Sequence, residues 1–280
     1  MTQTRVAAVS ARVYLRSRAL LEAAYWSARA IHDGLWLGAL NREALHEIDT
    51  AYYERQGMYL DEGYNRSGLS DWEQSCVQSH FPAGGRVIVT GAGAGREVLA
   101  LLNAGYDTWG YEVQSRFVDY GNTLLSNSGH ERRLHVMARD VWPPAAESCD
   151  AVVVGWGSYM LIADRRARIR FLRGARSALP DGGPLLVSFF HMDRHIDGLS
   201  PYLYRVARYA NAVRCFVGGS SLLVGDALVP NYAHYFTRGQ LEEELSLSGF
   251  ALAHYGFDDY GHAVAVAASS PVGSSATRRV

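Results

Sequence analysis

The residues most able to do chemistry together begin at Arg86. The apolar run Arg86-Val87-Ile88-Val89-Thr90 passes directly into Gly91-Ala92-Gly93-Ala94-Gly95, and a helical stretch follows. Glycines let a backbone turn sharply and approach a ligand without a Cβ clash, and a helix start offers unpaired N–H groups. Glu112 ends the next apolar run, 17 residues after Gly95. A carboxylate there can accept hydrogen bonds from both hydroxyls of a ribose. Strand, glycine loop, helix, strand and acid, in that order, make an arrangement that binds a nucleoside.

Two ligand classes compete for such a loop. The dinucleotide fingerprint needs a third glycine where this chain has Arg96, and a long side chain there opposes close helix–strand packing. NAD or FAD is therefore the weaker reading. A loop of the form Gly91-x-Gly93-x-Gly95 suits a ligand with ribose and adenine but no pyrophosphate. A P-loop is excluded, because no Gly-Lys-Ser/Thr follows.

The segment Val89-Thr90-Gly91-Ala92-Gly93-Ala94-Gly95-Arg96-Glu97 resembles the first motif of class I S-adenosylmethionine-dependent methyltransferases, in the branch with a Gly-x-Gly-x-Gly-Arg-Glu loop. The resemblance extends from about Arg86 to Ala268. It implies that Gly91, Ala92, Gly93 and Gly95 lie against the methionine and ribose parts of S-adenosyl-L-methionine. It further implies that Glu112, with Val113 beside it, holds the ribose. Asp140 matches the acid that contacts adenine in that family, with Val141 beside the ring. Judged by its neighbours alone, Asp140 suits a helix cap equally well. Trp156 falls where the family's fourth strand opens into the cleft, and Tyr64 falls in an N-terminal segment that in similar enzymes folds over the cofactor. The chain departs from the family at Val89, where an acid is common near the cofactor's amino group.

Positioning these residues requires a parallel sheet. After Phe81-Pro82-Ala83-Gly84-Gly85, short apolar strands alternate with helical stretches, as in βαβ units. Strands are expected at 86–90, 108–113, 134–138, 151–155 and 184–190, and helices at 96–103, 115–126 and 165–179. A helix at 237–248 and two strands, 251–257 and 262–268, should close the domain. The expected architecture is α/β, a Rossmann-like doubly wound sheet of seven strands, six parallel and the last hairpin strand antiparallel. Residues 1–80 read as a helical cap, with Asn41 capping a second helix to about Gln56. The stretch 193–229 reads as a lid insertion into the 81–268 domain, and 269–280 as a small, polar, flexible tail.

Methyl transfer needs a base only when the acceptor must lose a proton. His191, just after the fifth strand, is the first candidate, followed by His234 and Tyr159. His191-x-Asp193-x-His195 has a spacing that could seat a metal, but no fourth ligand is evident, and no metal is expected. Trp72 either covers the methionine end or packs the cap onto the sheet.

Charge and composition narrow the partners. With 27 basic and 28 acidic residues the chain lacks the basic excess of a dedicated nucleic-acid binder. Three scattered cysteines, Cys76, Cys149 and Cys215, form no disulfide framework, which fits a reducing cytoplasm. Met1 to Arg18 lacks the apolar core of a secretory signal, and no apolar run spans a bilayer. The expected partner is a small-molecule methyl acceptor, modified on oxygen or nitrogen in specialised metabolism, and the expected product is S-adenosyl-L-homocysteine. A peptide or protein acceptor, an oxidoreductase and a non-catalytic cofactor-binding homologue are the alternatives. A monomer or a homodimer fits equally.

Overall fold

The computed structural model describes residues 2–144, 148–192, 205–206, 208–212, 222–257 and 259–269. Most of the expected lid (193–229) and tail (269–280), with Asp193 and His195, therefore lies outside the described residues.

The apolar runs form the sheet as expected. Its strands are β1 (Arg86–Thr90), β2 (Asp107–Glu112), β3 (Leu134–Val136), β4 (Ala151–Val154) and β5 (Pro184–His191), followed by β6 (Asp226–Leu228), β7 (Tyr232–Phe236), β8 (Phe250–Gly256) and β9 (Gly261–Ala267). The order β3-β2-β1-β4-β5 is parallel throughout. One edge of β5 is shared between two partners. β9 runs antiparallel along Pro184–Phe189, and β7 pairs in parallel with Phe190 and His191. β8 closes the sheet on β9. All seven anticipated strands are present within a residue or two of their expected ends. The β6–β7 hairpin is an addition, extending the sheet at the carboxyl end of β5.

Alternation within β1 shows how the core is built. Ile88 points into a cluster with Val152, Leu185, Phe171 and Leu241, beneath α7 (Arg165–Ala178) and α8 (Arg238–Leu247). Its neighbours Val87 and Val89 point into the opposite cluster, with Val98, Leu101, Val118 and Leu186 beneath α5 (Arg96–Asn103) and α6 (Ser115–Asn127). Both faces of the central strands β1, β4 and β5 are thus covered, which matches their mostly apolar sequences. Each fully buried Val or Leu here stabilises the fold by about 1.5–3 kcal/mol.

The cap is helical. It comprises α1 (Thr2–Ala39), α2 (Arg42–Glu54), α3 (Glu62–Asn65) and α4 (Asp71–His80). Asn41 caps α2 as expected, its side-chain oxygen accepting from Ala44 N at 2.9 Å. Residues 9–28 of α1 are exposed throughout, and its last turns reach the body, where Leu37 meets Leu45 and Tyr232. Among the described residues no helix is long and apolar enough to cross a membrane.

Candidate cofactor cleft

The strand order reverses between β1 and β4, and at such a switch point open α/β sheets leave a crevice. Two backbones nearly touch here. Gly155 N donates to Thr90 O at 2.7 Å, and a Cβ on Gly155 would lie 2.4 Å from Gly91 O. Gly91 and Gly93 take φ of 62° and 53°, the left-handed region that glycine enters freely. The loop therefore turns back over the sheet and aims Gly93 N at β2.

Glu112 receives it. Its Oε2 accepts from Gly93 N at 2.9 Å, while Oε1 accepts from Val113 N at 2.8 Å and Gln114 N at 2.9 Å. A carboxylate offers about four lone-pair positions, so one remains for a ligand hydroxyl on the cleft side. Burial pushes the Glu112 carboxyl above its ordinary range, and the three N–H donors oppose that shift.

The opposite wall is held differently. Asp140 has φ 58°, which aspartate tolerates better than most residues. Its Oδ2 accepts from Arg42 Nη2 at 3.1 Å and lies 2.8 Å from His46 Nε2, both on α2. Arg139 next to it pairs with Asp49, also on α2, and Asp49 in turn accepts from Asn231 at the β6–β7 turn. Three separate stretches of chain thus meet at one buried polar cluster.

Between these walls lies an open cleft, lined by Gly91, Gly93, Glu112 and Val113 on one side and Met137, Asp140, Ile162 and Phe171 on the other. Thr90 Oγ1 lies buried in its wall with no partner among the described residues. Tyr53 and Tyr59 roof it, their phenols pushed well up by burial, so both stay neutral hydroxyls at neutral pH. A smaller recess opens beside Tyr59 and Trp156, lined by Tyr64, Asn65, Ala92, Ala94 and Glu97. Asn65 is 1% exposed and donates to Tyr59 O and Asp61 O, while its Oδ1 has no partner among the described residues. An orphaned buried acceptor costs about 1–3 kcal/mol, which a ligand donor would recover.

Arg96 explains the recess floor. Instead of packing against the sheet it grips Glu73 of α4 through two 2.7 Å bonds and reaches Glu97 at 2.8 Å. Burial raises the Glu97 carboxyl, and Trp156 N lies 3.4 Å from its Oε1.

Several sequence-predicted residues converge on these cavities: Gly91, Gly93, Glu112, Val113, Asp140 and Trp156 line the cleft, and Ala92 and Tyr64 line the recess. Two do not. Gly95 caps α5 and faces Leu134, where a Cβ would sit 3.1 Å from Cδ1. Val141 is 51% exposed and outside the lining.

None of the three base candidates lines the cleft. Tyr159 is fully buried, stacked on Phe236 and donating to Glu244 at 2.6 Å. His234 is bonded to Asp226 at 2.7 Å, and burial holds its pKa below the usual value. His191 is 6% exposed, stacked on Phe257 and packed edge-on against Tyr255 of β8. Among the described residues no histidine lines the cleft. Sequence alone does not single out Arg42, His46 and Asp49, because their partners Asp140, Arg139 and Asn231 lie 90 or more residues along the chain.

Neither a protein-family model nor a curated protein sequence matches the chain. Solved structures do match in fold. A methyltransferase dependent on S-adenosylmethionine from Methanosarcina mazei aligns with TM-score 0.55 and 18% identity, over 72% of this chain and 100% of that one. The sugar N-methyltransferase of a Streptoalloteichus species gives 0.54 and 16%, over 82% and 95%. The 1,6-didemethyltoxoflavin-N1-methyltransferase of Burkholderia thailandensis, solved with 1,6-didemethyltoxoflavin and S-adenosylhomocysteine, gives 0.52 and 13%, over 80% and 87%. The chain has the Rossmann-like fold of methyltransferases that use S-adenosylmethionine.

Proposed function

We propose that the protein is an S-adenosylmethionine-dependent methyltransferase acting on an oxygen or nitrogen of a small-molecule acceptor. The observation that carries the reading is the bond from Gly93 N in the glycine loop to Glu112 at the end of β2, with both residues lining the cleft beside the switch point. Two of the fold relatives are described as modifying a sugar or a toxoflavin precursor, which supports a small acceptor.

In this assignment Glu112 accepts from the ribose, Asp140 accepts from the adenine amine through Oδ1, and Met137, Ile162 and Phe171 sandwich the ring. The recess takes the methionine end. There Glu97 stands in for the acid missing at Val89. Glu73 and Glu97 share one guanidinium, so the cluster favours a further cation, and Asn65 Oδ1 offers an acceptor for its N–H groups.

The cofactor supplies an activated methyl on a sulfonium, which leaves by in-line displacement. The protein's part is alignment and exclusion of water by the Tyr53, Tyr59 and Trp156 roof. With no imidazole in the described lining, the reading favours an acceptor that attacks as a neutral amine or an already acidic hydroxyl.

The test is incubation with S-adenosylmethionine and a panel of amino and hydroxyl small molecules, following S-adenosylhomocysteine release and the mass of the product. Transfer to a small molecule is expected. Transfer confined to peptides, or tight cofactor binding without transfer to any acceptor, would contradict the reading.

A further inference from the structure

Behind the cleft, one aromatic layer from Trp156, the cap meets the final hairpin through sulfur and imidazoles. Cys76 on α4, His254 on β8 and His262 on β9 bring their ligand atoms within 4.8 Å of one another. Cys76 and His262 are buried, and His254 is half-buried.

The surrounding fold orients these groups. His254 faces Val264 and Gly256 faces His262 in the β8–β9 register, so the two histidines are diagonal neighbours on one face. A bulge between Leu252 and His254 re-aims the strand just before the first of them. The two Nε2 atoms stand 3.3 Å apart. Two imidazoles bound to one tetrahedral zinc at ~2.0–2.1 Å have their nitrogens separated by about 3.3 Å. His262 Nδ1 lies 2.7 Å from Tyr260 O, and donation there puts the proton on Nδ1 and turns the Nε2 lone pair toward His254. Metal-bound histidines commonly make this bond to a backbone carbonyl. Gly256 leaves the space open, since a Cβ there would sit 2.4 Å from His262 Nε2 and 3.3 Å from His254 Nε2.

A candidate fourth donor, outside the cluster whose ligand atoms lie within 4.8 Å, is on the same helix. His80 follows Cys76 by four residues, hence on the same face of α4, and its ring lies 6.0 Å from that of His254. Trp72, a turn earlier on α4, stacks on His262 at 4.9 Å and on Tyr260 at 6.3 Å.

We propose that Cys76, His254 and His262, with His80 completing the tetrahedron, form a structural zinc site that clips α4 of the cap to the β8–β9 hairpin. One thiolate and three imidazoles suit zinc, and the site tethers the helix that carries Glu73, the partner of Arg96 at the recess floor. The proposal does not depend on the methyltransferase assignment. Sequence spacing could not have revealed it, because the two halves of the site lie 178 residues apart (Cys76 to His254).

The competing account is a plain imidazole–imidazole hydrogen bond with a thiol nearby. Cobalt titration of the chelator-treated full chain separates the two. Stoichiometric uptake with a thiolate-to-cobalt band in the near ultraviolet and tetrahedral bands in the visible is expected, both reversed by zinc. His254→Gln, at the half-buried position, should weaken zinc at least tenfold while leaving the far-ultraviolet circular dichroism unchanged, and Cys76→Ser should remove the thiolate band. Absence of the thiolate band in the unmodified protein, or a band and zinc affinity unaltered by both substitutions, would overturn the site.

Discussion

The two walls of the cleft end in carboxylates that do comparable work by different construction. Glu112 is held by three backbone N–H groups, one from the glycine loop and two from its own turn. Asp140 is held by side chains of α2, a cap helix that reaches it from 98 and 94 residues away. One wall is built into the Rossmann-like domain, and the other is finished only when the cap docks. The Glu112 side should therefore be rigid and indifferent to changes in the cap, while the Asp140 side should report on them.

The largest expected effect separates the walls outright. Glu112→Gln removes a charged acceptor, and hydrogen bonds to charged groups contribute about 1.5–3 kcal/mol, so affinity for S-adenosylhomocysteine should fall roughly 10- to 150-fold by calorimetry. Its pH dependence sharpens the point. The folded-state pKa is raised above the unfolded 4.5, so this residue favours the fold in its protonated form. That contribution is present below pH 4.5 and is lost as pH rises through the folded value. Ligand binding runs the other way, because ribose hydroxyls donate best to the ionised carboxylate. The rise in thermal midpoint produced by S-adenosylhomocysteine should shrink as pH falls through that window, and Glu112→Gln should flatten the curve.

A middle-sized effect tests the coupling. Arg42→Ala leaves Asp140 buried with only His46, and the expected loss in affinity is about tenfold, with a lower thermal midpoint. In double-mutant cycles Arg42→Ala and Asp140→Asn should be clearly non-additive, whereas Arg42→Ala and Glu112→Gln should add within about 0.5 kcal/mol. Equal coupling in both cycles would erase the distinction between the walls. The smallest effect belongs to Val141→Ala, which should change affinity less than about twofold, since the residue is half exposed and outside the lining.

The same contrast explains what the sequence could and could not disclose. The backbone-built wall is local. Strand, glycines and acid fall within 27 residues, Arg86 to Glu112, and the continuous burial of β1 follows from its own apolar run. The cap-built wall depends on Arg42, His46 and Asp49, polar residues on an ordinary amphipathic helix whose partners no spacing rule supplies. His191 illustrates a second blind spot. The end of a fifth parallel strand is a sound place to seek a cleft residue, but Tyr255 of β8 and Phe257 just beyond it pack against the imidazole and bury it. Tyr159 is drawn down by its hydrogen bond to Glu244, a buried acid on a helix 85 residues later.

The central claim is that the glycine loop receives S-adenosylmethionine. Calorimetric titration of the intact protein with S-adenosylmethionine, S-adenosylhomocysteine and NADH, repeated on Gly93→Arg, tests it most directly. At Gly93 φ is 53° and Tyr59 already lies 3.3 Å from a would-be Cβ, so the arginine fills the ligand's path. Micromolar binding of the first two ligands, abolished by the substitution, is the predicted result. Binding of NADH alone, or an undiminished S-adenosylhomocysteine affinity in Gly93→Arg, would contradict it.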